Sequence, residues 1–189
     1  CDYMNIFLVL CHPRRDSLSG TVADAFAKGA LEAGHRVDFF DLYREGFNPV
    51  LKENDEPSNG RLDSYSNDIQ ENFNRLNKNE AVVMVFPLWW WSTPAMLKGW
   101  IDRVWNYGLT YGPAAHNLKK GAMFILPAHT EDELKKRNYL DAITTSLNVG
   151  VFHYNKIYDS EVVFLGGTNL GRKHCTLHIE TAYKKGLNF

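Results

Sequence analysis

Val82-Val83-Met84-Val85-Phe86-Pro87-Leu88-Trp89-Trp90-Trp91-Ser92-Thr93-Pro94, continuing as Ala95-Met96-Leu97-Lys98-Gly99-Trp100-Ile101-Asp102-Arg103-Val104-Trp105, is the stretch whose reading decides the fold. Val82 to Phe86 are apolar and rich in β-branched residues, the signature of a strand buried on both faces. Pro87 ends that strand, because it has no N–H to give a ladder. Thr93-Pro94 reads as an N-cap followed by proline at the first helical position. Met96, Leu97, Trp100, Ile101, Val104 and Trp105 recur at three- and four-residue spacing, so the helix that follows has one apolar face. Between strand and helix stand three consecutive tryptophans, at the carboxyl end of a strand, where open α/β sheets bind ligands. Neighbouring loop residues face different ways, so the three cannot all enter one core. Part of that aromatic surface is expected to cover a flat ligand or a partner chain.

Working outward, Asn5 to Cys11 is a second buried-strand run, broken at His12-Pro13-Arg14-Arg15-Asp16-Ser17-Leu18-Ser19-Gly20. Leu18, Val22, Phe26, Ala30 and Ala33 then keep helical spacing, with Gly34 where a C-terminal cap belongs. Arg36 to Leu42 is the next strand. Tyr43 to Arg61, with Gly46, Pro49, Pro57 and Gly60, reads as a long loop, of the kind that is functional or mobile. Leu62 to Asn77 reads as a helix with Ile69, Phe73 and Leu76 on one face. After the central helix, Tyr107 to Lys120 is a loop and Ala122 to Leu126 a fourth strand, ending at Pro127-Ala128-His129-Thr130. Glu131 to Leu147 reads as one helix with an acidic start, as the helix dipole favours. Glu161 to Leu165 is a fifth strand, and Leu170 to Lys185 a last helix. Strands alternating with helices imply a doubly wound parallel sheet in one α/β domain spanning 1–189, and five strands suit the order 2-1-3-4-5.

Composition sets bounds. The chain has 189 residues, 44% hydrophobic and 23% charged, enough for one good core and short for two domains. A formal net charge of −1 gives no general attraction to nucleic acid or anionic membrane, and no run is long enough to insert into a bilayer. Cys1, Cys11 and Cys175 are odd in number and scattered, which points to a reducing, cytoplasmic setting. The residues ahead of Met4 read as an appended remnant. Cys11-His12 and His174-Cys175 lack the spacing of a metal site, and no metal is expected.

Three loops lie at the carboxyl ends of strands one, three and four, and in the order 2-1-3-4-5 these strands are neighbours. The first loop offers His12, Ser17, Ser19, two arginines and a helix N-terminus, a set suited to a phosphate. It is neither a Walker loop nor G-x-G-x-x-G. A phosphate loop beside an aromatic loop beside a third polar loop suits one elongated ligand, with phosphate at one end and a flat ring at the other. A flavin nucleotide has that shape.

The chain resembles the NAD(P)H:quinone oxidoreductase family of flavodoxin-like flavoproteins over nearly its whole length. The matching segments are His12-Pro13 with Ser17 and Ser19, Asp41-Leu42-Tyr43 with Phe47-Asn48-Pro49, and, most specific, Phe86 to Ala95 with Leu97 to Val104. The resemblance implies that His12, Ser17, Leu18 and Ser19 hold the flavin phosphate end. It implies that Pro87, Leu88, Trp89, Trp90 and Trp91 run along the isoalloxazine, and that Ala128, His129 and Thr130 meet the ring's far edge. It implies a homodimer with interfacial active sites, and ping-pong hydride transfer from NAD(P)H through the flavin to a quinone-like acceptor. The cofactor implied is FMN or FAD, and a short chain that leaves little for an adenine clasp favours FMN. Two other readings attach to the same resemblance: a regulatory subunit of a glutathione-gated potassium efflux transporter, and a flavodoxin-type electron carrier. Carriers are strongly acidic, and this chain is not.

One segment departs from the family pattern. Where members carry a Thr-Gly-Gly-like run after the fourth strand, this chain has Pro127-Ala128-His129-Thr130 and no glycine. A tyrosine that follows in some members has no direct counterpart, since Leu134 falls near its position and Tyr139 lies further along. The imidazole of His129 then stands where the family offers glycine amides, and it is the candidate catalytic group, stabilising negative charge on reduced flavin.

Overall fold

The central strands form because their residues have nowhere polar to go. In a computed structural model that describes residues 3–57 and 59–189, Ile6 to Cys11 and Ala81 to Phe86 are fully buried. Cys1 and Asp2, part of the run read as a remnant, lie outside the described residues. β1 (Asn5–Leu10) pairs with β2 (Arg36–Asp41) on one side and β3 (Ala81–Pro87) on the other; β3 pairs with β4 (Lys120–Leu126), and β4 with β5 (Asp159–Phe164). All pairs are parallel, and the order is the expected 2-1-3-4-5.

Alternation along the strands sends side chains to two separate cores. Ile6, Leu8 and Leu10 join Val83 and Val85 against α1 (Leu18–Glu32) and α6 (Arg172–Leu187), through Val22, Phe26, Ala30 and Ala182. Phe7 and Val9 join Met84 and Phe86 against α2 (Asn67–Leu76) and α3 (Ala95–Val104), through Ile69, Phe73, Leu97 and Trp100. Gly34, at φ 96°, follows α1 in the left-handed conformation expected of a closing glycine.

Three expectations are corrected. Thr93 does not cap α3: Pro94, at ψ 154°, is itself the N-cap, and Thr93 Oγ1 is buried without a partner. The helix read over 62–77 begins at Asn67, preceded by a single 3₁₀ turn, Leu62–Ser64. The helix read over 131–147 is broken. α4 (Glu131–Lys136) stops before Asn138, whose φ of 59° no helix continues through, and α5 (Tyr139–Thr144) runs on into π-type winding over Thr145–His153. Asparagine tolerates that left-handed geometry better than other side chains, so the break sits where the chain can bear it.

The segment from Tyr43 to Arg61 is a long loop, as expected, with a 3₁₀ turn at Glu53–Asp55, and it is anchored to the helices. Its Asp55, fully buried, accepts from Arg103 Nε at 2.8 Å, and the Arg103 fork also donates to Asp68 at 2.6 Å and to the Asn48 carbonyl at 2.8 Å. Arg103 comes from α3 and Asp68 from the start of α2, so one buried guanidinium ties the segment to both helices. Among the described residues, no helix is long and apolar enough to cross a membrane.

Candidate functional site

Parallel strands deliver their carboxyl ends to one rim, and a groove of about 540 Å³ lies along it. Its first wall is the β1–α1 loop. Ser17 caps α1, its Oγ accepting from Gly20 N–H at 3.1 Å. The N–H groups of Leu18 and Ser19 are left without a partner among the described residues, as the first turn of a helix requires, and they sit where the dipole is positive. A side chain at Gly20 would collide with the Arg15 carbonyl at 2.2 Å, so the loop folds tightly onto the first turn only because position 20 is glycine.

His12 adds a directed donor. Its Nδ1 accepts from Arg14 N–H at 3.0 Å, which puts the ring proton on Nε2. Burial, helped by the Arg14 and Arg44 charges, pushes its pKa below the usual histidine value, so the ring is neutral at pH 7. The charges lining the groove are the guanidiniums of Arg172 and of Arg14, which pairs with Asp16 at 3.4 Å; among the described residues no carboxylate lines the groove itself. That donor set fits a phosphate.

The second wall is the β3–α3 loop. Pro87 and Leu88 line the groove, and Trp89 stands over its mouth with the His12 ring 5.9 Å away. Trp89 and Ser92 exchange two backbone hydrogen bonds of 3.2 Å, closing a two-residue turn on Trp90 (φ 50°) and Trp91 (φ 60°). Such turns normally take Asn-Gly, because both central residues are left-handed. Two tryptophans there are strained, and strain of this kind gathers at functional sites. Trp90 is 92% exposed. Trp91 turns the other way and stacks on Tyr139, centroids 3.9 Å apart and planes within 5°.

The third wall is the loop after β4. Ala128 lines the groove. The His129 side chain does not; it lies 5.0 Å from the Trp91 ring, in an adjoining hollow. Thr130 caps α4, its Oγ1 accepting from Glu133 N–H at 3.2 Å while Glu133 reaches back to it. The groove therefore gathers His12, Ser17, Leu18, Ser19, Pro87, Leu88, Trp89 and Ala128, and leaves Trp90, Trp91, His129 and Thr130 beside it.

Sequence reasoning missed the wall made by Thr168, Arg172 and Cys175. The signal was present: Gly166-Gly167-Thr168 follows β5 as the other loops follow their strands. The loop is held in place by two α6 histidines, His174 and His178, whose Nε2 atoms both donate to the Gly166 carbonyl at 2.8 and 2.6 Å. Gly167 N–H in turn donates to the His129 carbonyl at 2.9 Å, so the β4 and β5 loops are joined. Cys11, below the groove, is fully buried, and burial pushes its thiol up to about 12, which makes it an inert core group.

Comparison with known proteins agrees with this fold. The family model for the flavodoxin-like fold matches residues 4–186. The chain is 40% identical over 166 residues to the uncharacterized NAD(P)H oxidoreductase YcaK of Escherichia coli (strain K12), covering 86% of this chain and 84% of that one. Among solved structures, an NAD(P)H:quinone oxidoreductase from Methanothermobacter marburgensis superposes with a TM-score of 0.90 at 29% identity, covering 99% and 96% of the two chains. An FMN-dependent NADH-azoreductase from Bacillus anthracis, solved with FMN, shares the fold at a TM-score of 0.72 and 18% identity, covering 97% and 96%.

Proposed function

This chain belongs to the flavodoxin-like-fold family, and on that premise we propose that it is a flavin-dependent NAD(P)H oxidoreductase reducing quinones or similar flat acceptors. The observation that carries the reading is the groove itself: phosphate donors without a carboxylate at one end, and an aromatic, strained turn at the other. Names borne by the relatives support oxidoreductase chemistry and do not favour a transporter subunit or an electron carrier.

The cofactor is FMN. When bound, it supplies two-electron chemistry: a hydride comes in from the dihydronicotinamide and two electrons go out to the acceptor, by ping-pong through one site. Leu18 and Ser19 N–H, the Ser17 and Ser19 hydroxyls and His12 Nε2–H hold the phosphate, with Arg14 and Arg172 completing its charge balance. Pro87, Leu88 and Trp89 run along the ring, and the Ala128 and His129 backbone closes its far edge. Trp90 and Trp91 supply aromatic cover, and Thr130 fixes the loop by its cap. His129, whose ring lies in the adjoining hollow, would support the reduced state from that side. The protein acts as a homodimer in the cytoplasm.

The test is the absorption spectrum of the purified protein followed by the mass of the released cofactor. Flavin bands near one equivalent per chain and the mass of FMN support the reading; a protein that stays colourless after incubation with FMN and with FAD overturns it.

A further inference from the structure

Beside the groove, Trp91, His129, Lys136, Arg137 and Tyr139 surround a hollow of about 300 Å³ floored by buried Leu134. Its aromatic wall is the Trp91–Tyr139 stack, with His129 5.0 Å from Trp91. Its rim is cationic. Lys136 is the last residue of α4, Arg137 follows it, and the left-handed Asn138 turns the chain there, which leaves both side chains at the edge of the hollow. Neither makes an ion pair among the described residues, whereas the next lysine back, Lys135, pairs with Glu131 at 3.9 Å. The one carboxylate lining the hollow, Glu133, keeps its charge and is turned toward the Thr130 cap, accepting from Thr130 N–H and Oγ1, so two cations share the hollow with one anion. Two unpaired cations, an imidazole and an aromatic wall make a site for an anion carried on a larger molecule.

The hollow's position says which anion. Trp89 and Trp91 are the two sides of one turn, and Ala128 and His129 are successive residues; in each pair the first lines the groove and the second the hollow. A ligand leaving the ring end of the groove therefore enters the hollow directly. We propose that Lys136 and Arg137 bind the phosphates of the nicotinamide dinucleotide, and so select a phosphate-bearing hydride donor. This rests on the flavoenzyme reading above and adds a donor subsite to it.

The test compares the parent with Lys136→Ala, Arg137→Ala and the double variant, all at exposed positions that leave the core intact. Calorimetry measures binding of 5′-ADP and 2′,5′-ADP, and steady-state assays compare NADH, NADPH and the uncharged donor 1-benzyl-1,4-dihydronicotinamide. In the double variant, affinity for the ADP probe should fall about ten- to a hundredfold, on the scale of lost charge-assisted contacts. The ratio of kcat/KM for NAD(P)H to that for the uncharged donor should fall by a similar factor. Losses with both ADP probes place their shared 5′-phosphate in the hollow, losses confined to 5′-ADP place the pyrophosphate there, and losses confined to 2′,5′-ADP and NADPH place the 2′-phosphate there; each supports the subsite. Unchanged ADP binding, or equal losses with charged and uncharged donors, overturns it. A parent protein that oxidises no donor at all sinks the flavoenzyme reading instead, and the ADP titration still judges the hollow.

Discussion

At the residue scale, the site concentrates its cost in two tryptophans. Trp90 and Trp91 hold left-handed backbone that glycine adopts freely, and Trp90 returns no burial for it at 92% exposure. Trp90→Gly should therefore stabilise the fold, by about 0.5–1 kcal/mol in urea unfolding, while quinone turnover falls. A variant that is both less stable and fully active would show the turn to be a packing device. His129 tests the departure from the family's glycine run. Its side chain sits against Trp91 and its carbonyl is held by Gly167, so His129→Ala removes the ring and keeps the loop. If its ring supports the reduced flavin as proposed, reduction should slow about ten- to a hundredfold and the reduction potential should drop. Unchanged rate and potential would make the imidazole a bystander whose backbone N–H alone matters.

At the scale of elements, the strands were legible because burial on both faces writes itself as an unbroken apolar run, and their order followed from alternation with helices. What was not legible depends on tertiary partners. Asn138 looks like any polar residue in a helical pattern until the chain has to turn there, and Arg103 looks like an exposed helix residue until Asp55 and Asp68 close on it. The Thr168–Arg172 wall escaped because it comes from a strand end to which no chemistry had been assigned. The Arg103 tie makes a sharp prediction. Arg103→Met leaves Asp55 buried without its counter-charge and should cost about 3–5 kcal/mol of stability. The same tie sets an acid limit. Hydrogen bonds from Arg103, and secondarily from Ser66, hold the Asp68 carboxyl down at about 2, below its ordinary value of 3.8. A depressed carboxylate contributes fully above its unfolded pKa and loses that contribution as pH falls. The parent should therefore lose stability between about pH 4 and pH 2 more steeply than Asp68→Asn, and identical acid profiles would remove Asp68 from the account.

At the scale of the molecule, several large apolar side chains remain in water among the described residues. Trp90, Val149, Tyr154 and Tyr158 are all exposed, the middle pair on or beside the π-wound segment that ends at His153. A monomer has little reason to leave such residues in water, and a homodimer would cover them. Light scattering at micromolar concentration should give twice the 21.7 kDa chain mass, whereas a monomer with full turnover would take the partner chain out of the site. The central claim, that the rim groove holds a flavin which a nicotinamide reduces, is tested most directly by anaerobic titration of the flavin-loaded protein with NADPH and with NADH. One equivalent per chain of at least one donor should bleach the flavin band, and one equivalent of a soluble quinone should restore it. A bound flavin that neither donor bleaches would contradict it.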